Sequence, residues 1–511
     1  MRLGIDLGTT RTLVAASDRG NYPLVGFENE DGDVVSHLPT VVAEEGGELV
    51  YGFAAERVAL DGGPHLRSFK RLLGRHGPTH EVTVGEVGVS LLDMTTGFLG
   101  YVRRMLATRS NLSAPDAIGE VVVSVPANAH SSQRFATLEA FRGAGFSVLA
   151  MLNEPSAAGI EYAHRHRGTL NNKRDHVAIY DLGGGTFDAA LVMVADEHHD
   201  VIDTSGIQEL GGDDFDAILL QMALDEATAT APEQALPGLL AECRAVKEAI
   251  HPSTKRLVLE LSALGDAAPA EPVILSVADY FERLRPLVDA TVDALSEAIA
   301  PGGGGASVDE LKEQAASAGV AGIYVVGGAS ALPVVARQLR ERLGRRVHRS
   351  PHPAGAIAMG LAIAADEEQA PAVAERFTRH LGVFREEQGG ARIRFDPIFS
   401  RGTAMPGHGE APLIATRRYR AAHNVGHYRF VECAGVDPRG EPDGDISPHG
   451  EVRFAFAPAL RDLNGALAEA PVERLAHDGP LIEERYEVDA AGVIAVTIAA
   501  VEDGYAQRFV L

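Results

Sequence analysis

Tyr180-Asp181-Leu182-Gly183-Gly184-Gly185-Thr186-Phe187-Asp188 decides how this chain is read. Apolar Val177, Ala178 and Ile179 lead in, and Ala189, Ala190, Leu191 and Val192 lead out, which is the pattern of strand, tight turn, strand. Three consecutive glycines leave no side chain between the backbone and a ligand, and they permit positive φ. Successive amides in such a turn converge on an anion. Asp181 and Asp188 flank the turn and would repel that anion unless a divalent cation lies between them. Magnesium suits the place, since it takes a few carboxylates, waters and phosphate oxygens. Leu3-Gly4-Ile5-Asp6-Leu7-Gly8-Thr9-Thr10 is a second copy of the device. Either turn alone would more often be an ordinary Gly-rich hairpin. Together they predict a duplicated phosphate clamp around one Mg–nucleotide.

At 511 residues the chain is too long for one core and predicts two or more domains. Its net charge of −25 argues against nucleic acid or an anionic membrane as a main partner. Cys243 and Cys433 make no disulfide framework and fit a reducing compartment. The first residues lack a signal-peptide pattern, and no apolar run reaches the roughly 20 residues of a membrane span. The expectation is a soluble, cytoplasmic protein.

Through residues 1–370, strand-like runs alternate with helical periodicity, as in a layered α/β domain. Asn153-Glu154-Pro155 starts a small-residue helix, with Pro155 suited to the first turn. Glu209-Leu210-Gly211-Gly212-Asp213-Asp214 opens another, whose early amides could face an anion. Asp213 and Asp214 equally suit simple helix-start residues. Pro301 to Gly305 reads as a flexible connection, and His352 to Ala365 as a small-residue helix. Residues 371–376 read as a linker. Residues 377–511 read as an all-β domain, with Gly435 to Gly450 as a long polar loop.

Taken in order, these motifs resemble the heat shock 70 (DnaK-type) chaperone family. Gly4 to Thr10 is similar to its first phosphate motif, and Asp181 to Asp188 to its second. Phe69-Lys70-Arg71-Leu72-Leu73-Gly74 resembles the segment with its catalytic lysine. Val125-Pro126-Ala127 with Gln133-Arg134 resembles its proline switch and arginine. Asn153 to Ala158, Leu210 to Asp216 and Val326-Gly327-Gly328 complete the set. The resemblance implies an actin-like ATPase domain, duplicated into four subdomains, with ATP or ADP and Mg2+ in a central cleft. Lys70 would hold the γ-phosphate and steady the attacking water, Glu154 would orient water, and Asp6 and Asp181 would position Mg2+ through its waters. Thr186 would contact the γ-phosphate or the water. Gly8, Thr9, Thr10, Gly183, Gly184, Gly185, Gly211, Gly212, Lys247, Gly327 and Gly328 would hold the nucleotide.

Departures from the family pattern sit at the nucleoside, the linker and the C-terminal region. Arg244 stands where the family has a glutamate near adenosine, His251 where it has a serine, Ala331 where it has a stacking arginine, and Ala354 where it has an acid. Ala372-Val373-Ala374-Glu375 replaces a leucine-rich linker, so its docking should be weaker. Near Ala150 the arginine associated with J-domain co-chaperones is missing, which puts that partner in question. The C-terminal region resembles the family's β-sandwich peptide-binding domain without its helical lid. A lidless sandwich can take an extended peptide by strand addition. The reading is a slow chaperone-like ATPase with an unfolded peptide or dedicated client as partner. A non-hydrolysing nucleotide-bound scaffold and, further off, a small-molecule kinase of the actin-like superfamily are the rivals.

Overall fold

The computed structural model describes all residues except 114–117, 167–174, 196–197, 301–312, 314–318, 345–346, 369–371, 408 and 462–465. The expected connection at Pro301 to Gly305 therefore lies outside the described residues. The chain divides into two compact units: Met1–Ala127 with Ala136–Val373, and Asn128–Phe135 with Ala374–Leu511.

The first unit is built on two sheets of one design. In the first, β1 (Leu3–Leu7) and β2 (Arg11–Ala16) form the hairpin around Gly8-Thr9-Thr10, with β3 (Leu38–Pro39) beyond β2. β4 (Glu120–Val125) runs parallel to β1, and β5 (Ser147–Asn153) parallel to β4. In the second, β6 (His176–Leu182) and β7 (Phe187–Ala195) form the hairpin around the three glycines, followed by β8 (His198–Ile207). β9 (Val320–Val326) runs parallel to β6, and β10 (Val347–Arg349) parallel to β9. Each sheet thus sets an Asp-bearing antiparallel hairpin beside parallel strands. β1 and most of β6 are buried on both faces, which is why they read as near-continuous apolar runs.

Helices pack against these sheets. α1 (Lys70–Arg75) is short, α2 (Glu154–Arg165) follows β5 without a loop, and α3 (Gly212–Ala227) and α4 (Leu236–Glu248) follow the second hairpin. α5 (Val277–Ile299) is long and amphipathic, and α6 (Ala356–Ala364) is built of small and aliphatic residues. A Cβ on Gly360 of α6 would come 1.8 Å from the Ala157 carbonyl of α2, so only glycine lets these helices touch there. A Cβ on Gly4 of β1 would lie 2.3 Å from the Ala362 amide nitrogen. The helix read from His352 starts instead at Ala356, after Pro353 and the Gly355 cap. No described helix is long and apolar enough to cross a membrane.

Ala372–Ala374 forms β11, an added edge strand beside β8. Edge pairing uses main-chain hydrogen bonds, so an Ala-Val-Ala run makes it without the leucines of the family linker.

The second unit contains two four-stranded antiparallel sheets. One has the order β13 (Arg392–Phe399), β12 (His380–Glu387), β15 (Val425–Val436), β16 (Pro442–Ala455). The other has β14 (Leu413–Arg420), β17 (Leu481–Val488), β18 (Ile494–Ala500), β19 (Tyr505–Val510). Val383, Phe430, Ile482, Val496 and Ile498 belong to one apolar core drawn from both sheets, which makes a sandwich. The polar loop read at Gly435 to Gly450 is corrected here. Residues 442–450 belong to β16, whose partly exposed first half pairs with β15 through backbone.

A polar cluster ties the two sheets together. Glu484 on β17 is fully buried. It accepts hydrogen bonds from Arg385 on β12 at 3.1 and 2.6 Å, from Tyr419 on β14 at 2.6 Å and from Tyr486 at 2.7 Å. Such a pair holds only while every lone pair is met, because one uncompensated buried charge is costly. Glu484→Ala is expected to destabilise the chain by roughly 3–5 kcal/mol, against at most about 1 kcal/mol for Glu483→Ala, which removes the half-buried partner of exposed Arg418. Urea unfolding of both variants checks this, and equal losses would contradict it.

Candidate nucleotide site

The two hairpin turns face each other. In the first, the Gly8 amide donates to the Asp6 carbonyl at 3.0 Å; in the second, the Gly183 amide donates to the Thr186 carbonyl at 3.0 Å. A Cβ on Gly184 would come 2.3 Å from Thr10 Oγ1, so glycine is required for the turns to approach this closely. An open cleft lies between them. Asp6, Gly8, Thr9, Thr10, Lys70, Glu154, Asp181, Gly183, Gly184, Thr186, Gly212, Lys247, Gly327 and Gly328 all line it. Gly185 and Gly211 do not. A Cβ on Gly211 would meet the Gly184 backbone at 2.6 Å, so Gly211 backs the turn.

Lys70 opens α1, directly after buried Phe69, whose ring packs edge-on against Phe98. Ser68 before it holds a φ of 55°, a costly conformation for a residue with a side chain. Its hydroxyl donates to Asp213 at 3.0 Å, which fixes that turn across the cleft. Glu154 is the first residue of α2, at the carboxyl end of β5. The Lys70 ammonium donates to Glu154 at 2.5 Å, with both side chains nearly buried.

The electrostatics of this cluster are unbalanced. Asp6, Glu154, Asp181 and Asp188 interact with one lysine. Burial, reinforced by Glu154, pushes the Asp6 carboxyl up to about 6, against Lys70 and a 2.8 Å hydrogen bond from Ser124. Burial and Glu154 push Asp188 up to about 7. Asp181 is raised well above the ordinary range by burial, then by Glu154, Asp188 and Asp6. Burial opposes the Lys70 charge, but Glu154, Asp6 and Asp188 outweigh it and raise its pKa. Buried carboxylates in excess over cations are a donor set that a divalent ion would satisfy. Among the described residues no three such side chains are placed to hold an ion directly.

The far end of the cleft carries charge pairs. Arg244 donates to Asp213 at 3.1 Å and lies 3.4 Å from Asp216. Lys247 lies 2.6 Å from Asp216 and donates to the Gly212 carbonyl at 2.6 Å. Arg11 donates to both Glu248 oxygens at 2.7 and 2.8 Å. Of the departures noted in the sequence, Arg244 and Ala354 line the cleft, while His251 and Ala331 are not among its lining residues. Arg11, Asp213 and Glu248 also line it and were not singled out as ligands. Arg11 follows Thr10 and Glu248 follows Lys247, so adjacency to the motifs was the available signal. The early amides of α3 turn inward: Gly212 donates to the Gly183 carbonyl at 3.0 Å and Asp213 to the Gly184 carbonyl at 2.7 Å. They brace the central turn.

Metal affinity should follow the ionisation of these carboxyls. An ion binds the deprotonated forms, so protons are released on binding and affinity falls as pH drops through the raised values. The metal-free fold has the opposite sign. Because its carboxyls keep protons that the unfolded chain has lost, its stability declines as pH rises from roughly 4 towards 7. Mg2+ affinity measured calorimetrically is expected to fall on the order of tenfold between pH 8 and 6. A flat profile would contradict the placement of the ion among these groups.

Comparison with known proteins shows the family. A family model described as Hsp70 protein matches residues 2–373. The chaperone protein HscA homolog of Burkholderia lata is 33% identical over 72% of this chain and 58% of its own length. The HscA homolog of Burkholderia cenocepacia is also 33% identical, with the same coverage. The chaperone protein DnaK of Thermus thermophilus is 30% identical over 97% of this chain and 78% of its own. The match thus spans little more than half the length of the HscA relatives. The chain belongs to the Hsp70 family.

Proposed function

We propose that this chain is a chaperone-type ATPase that binds Mg·ATP in the cleft of its first unit and hydrolyses it slowly to ADP and phosphate. The observation that supports this best is the buried Lys70–Glu154 pair, set among Asp6, Asp181 and Asp188 where the two glycine turns meet. Members of the Hsp70 family are ATPases that use Mg2+, and the relatives above are chaperones.

Each group has a role that follows from its chemistry. The turns at Gly8–Thr10 and Gly183–Thr186 present amides and hydroxyls to the phosphates. Lys70 has three donors, so it can keep Glu154 and still hold a γ-phosphate oxygen and the attacking water. Glu154 accepts from that water and orients it. Asp6 and Asp181 would hold Mg2+ through its waters, and the ion would neutralise charge on the phosphates. The Thr186 hydroxyl reaches the γ-phosphate or the water. At the nucleoside end, the Arg244 guanidinium can lie against a purine face, worth about 0.5–2 kcal/mol. The β-sandwich would serve an unfolded peptide or a dedicated client. The domain limits proposed are 1–370 and 377–511, joined by 371–376.

Arg244 and Ala354 on the cleft wall favour a second reading, a regulator that keeps its nucleotide without turnover. Single-turnover phosphate release with Mg·ATP separates the two. The ATPase reading expects release in the wild type and a loss on the order of 10²–10³-fold in Lys70→Ala and Thr186→Ala. Tight binding with no release in the wild type would select the regulator.

A further inference from the structure

Glu161 is a carboxylate that the cleft does not use. It lies on α2, two helical turns after Glu154, about 10.5 Å along the axis and on the same face. Its side chain is almost wholly buried. A carboxylate in such a place costs free energy unless specific partners meet it. Here the Tyr324 hydroxyl donates to one oxygen and Arg165 to the other. Tyr324 is itself fully buried, and its ring packs edge-on against Tyr162 with centroids 5.0 Å apart. Tyr324 lies on β9, three residues and about 10 Å before Gly327. Gly327 opens the turn that lines the cleft, and a Cβ there would come 2.4 Å from Asp181 Oδ1.

Two carboxylates on one helix face therefore hold α2 at two points. Glu154 is held by Lys70, and Glu161 is held by the strand that ends beside Asp181. The contact of Ala157 with Gly360 holds α2 against α6, and the buried Glu161–Tyr324 bond is what ties it to β9. We propose that Glu161 is a positioning residue, whose bond with Tyr324 fixes the register of α2 against β9 and so the spacing of Glu154 from Asp181 and the Gly327–Gly328 turn. The inference rests on the ATPase reading, since it is the placement of Glu154 for hydrolysis that the bond would control. Registry is a well-attested use of buried polar pairs.

The test is single-turnover phosphate release at saturating Mg·ATP for wild type, Glu161→Gln, Tyr324→Phe and the double variant, with ATP Kd and melting temperature measured alongside. Both substitutions keep side-chain shape, and Tyr324→Phe removes a single hydroxyl, so it carries the test even if Glu161→Gln folds poorly. The expected result is a rate per folded molecule lower by about tenfold in each single variant, with Kd changed less than about twofold. The double variant should be no slower than the worse single, because both act through one bond. Rates within about twofold of wild type, losses confined to Kd, or additive losses would overturn the proposal. A wild type that releases no phosphate would overturn the ATPase reading and the proposal together, whereas unaffected variants of an active wild type would overturn the proposal alone.

Discussion

The first unit depends on a close approach of one glycine turn to the Thr10 side chain of the other. Gly184 meets Thr10 across the cleft at a distance that excludes even a methyl group on the glycine. That approach brings Asp6 and Asp181 to one place, and the strand-to-helix junction at Asn153 adds Glu154. The result is a concentration of buried negative charge, partly offset by Lys70. Such an arrangement is electrostatically unfavourable without a further cation. The cluster is therefore under electrostatic tension, with its carboxyls raised above their ordinary range by burial and mutual repulsion.

The duplicated architecture explains how the tension is contained. Each hairpin is the antiparallel flank of a mixed sheet, and the parallel strand directly beside it is largely buried. α2 and α6 pack so tightly at Ala157 and Gly360 that side chains are excluded from the contact. Interiors of this density transmit displacement with little loss. Ser68, held at positive φ and bonded to Asp213, couples the lysine-bearing segment to the opposite wall. In the second unit the corresponding constraint is Glu484, whose buried carboxylate ties one sheet to the other.

The sequence made the glycine turns, Asp6, Asp181 and the start of α2 visible, because each is encoded in adjacent residues. Glycine triplets, a strand ending in Asp and a proline in a helix's first turn are local signals. Partnerships between distant positions were not visible. Arg11 and Glu248 are 237 positions apart, and Glu161 and Tyr324 are 163 apart. A helical Glu in a small-residue run reads as solvent-facing until the strand that covers it is known. Residues 442–450 carry no strand signal in the sequence because alternation is a signal of half-burial. That part of β16 is largely exposed, so its strand character resides in backbone pairing with β15. Ala372–Ala374 is likewise an edge strand, beside β8.

The most direct measurement is calorimetric binding of ATP to the purified chain, with Mg2+ present and again with the metal chelated. If facing turns and clustered carboxylates form one phosphate site, ATP binds at one site per chain with Mg2+, and chelation weakens binding strongly, because bare phosphates then meet unscreened carboxylates. Equal affinity with and without Mg2+, or more than one equivalent site, would contradict a single metal-dependent clamp.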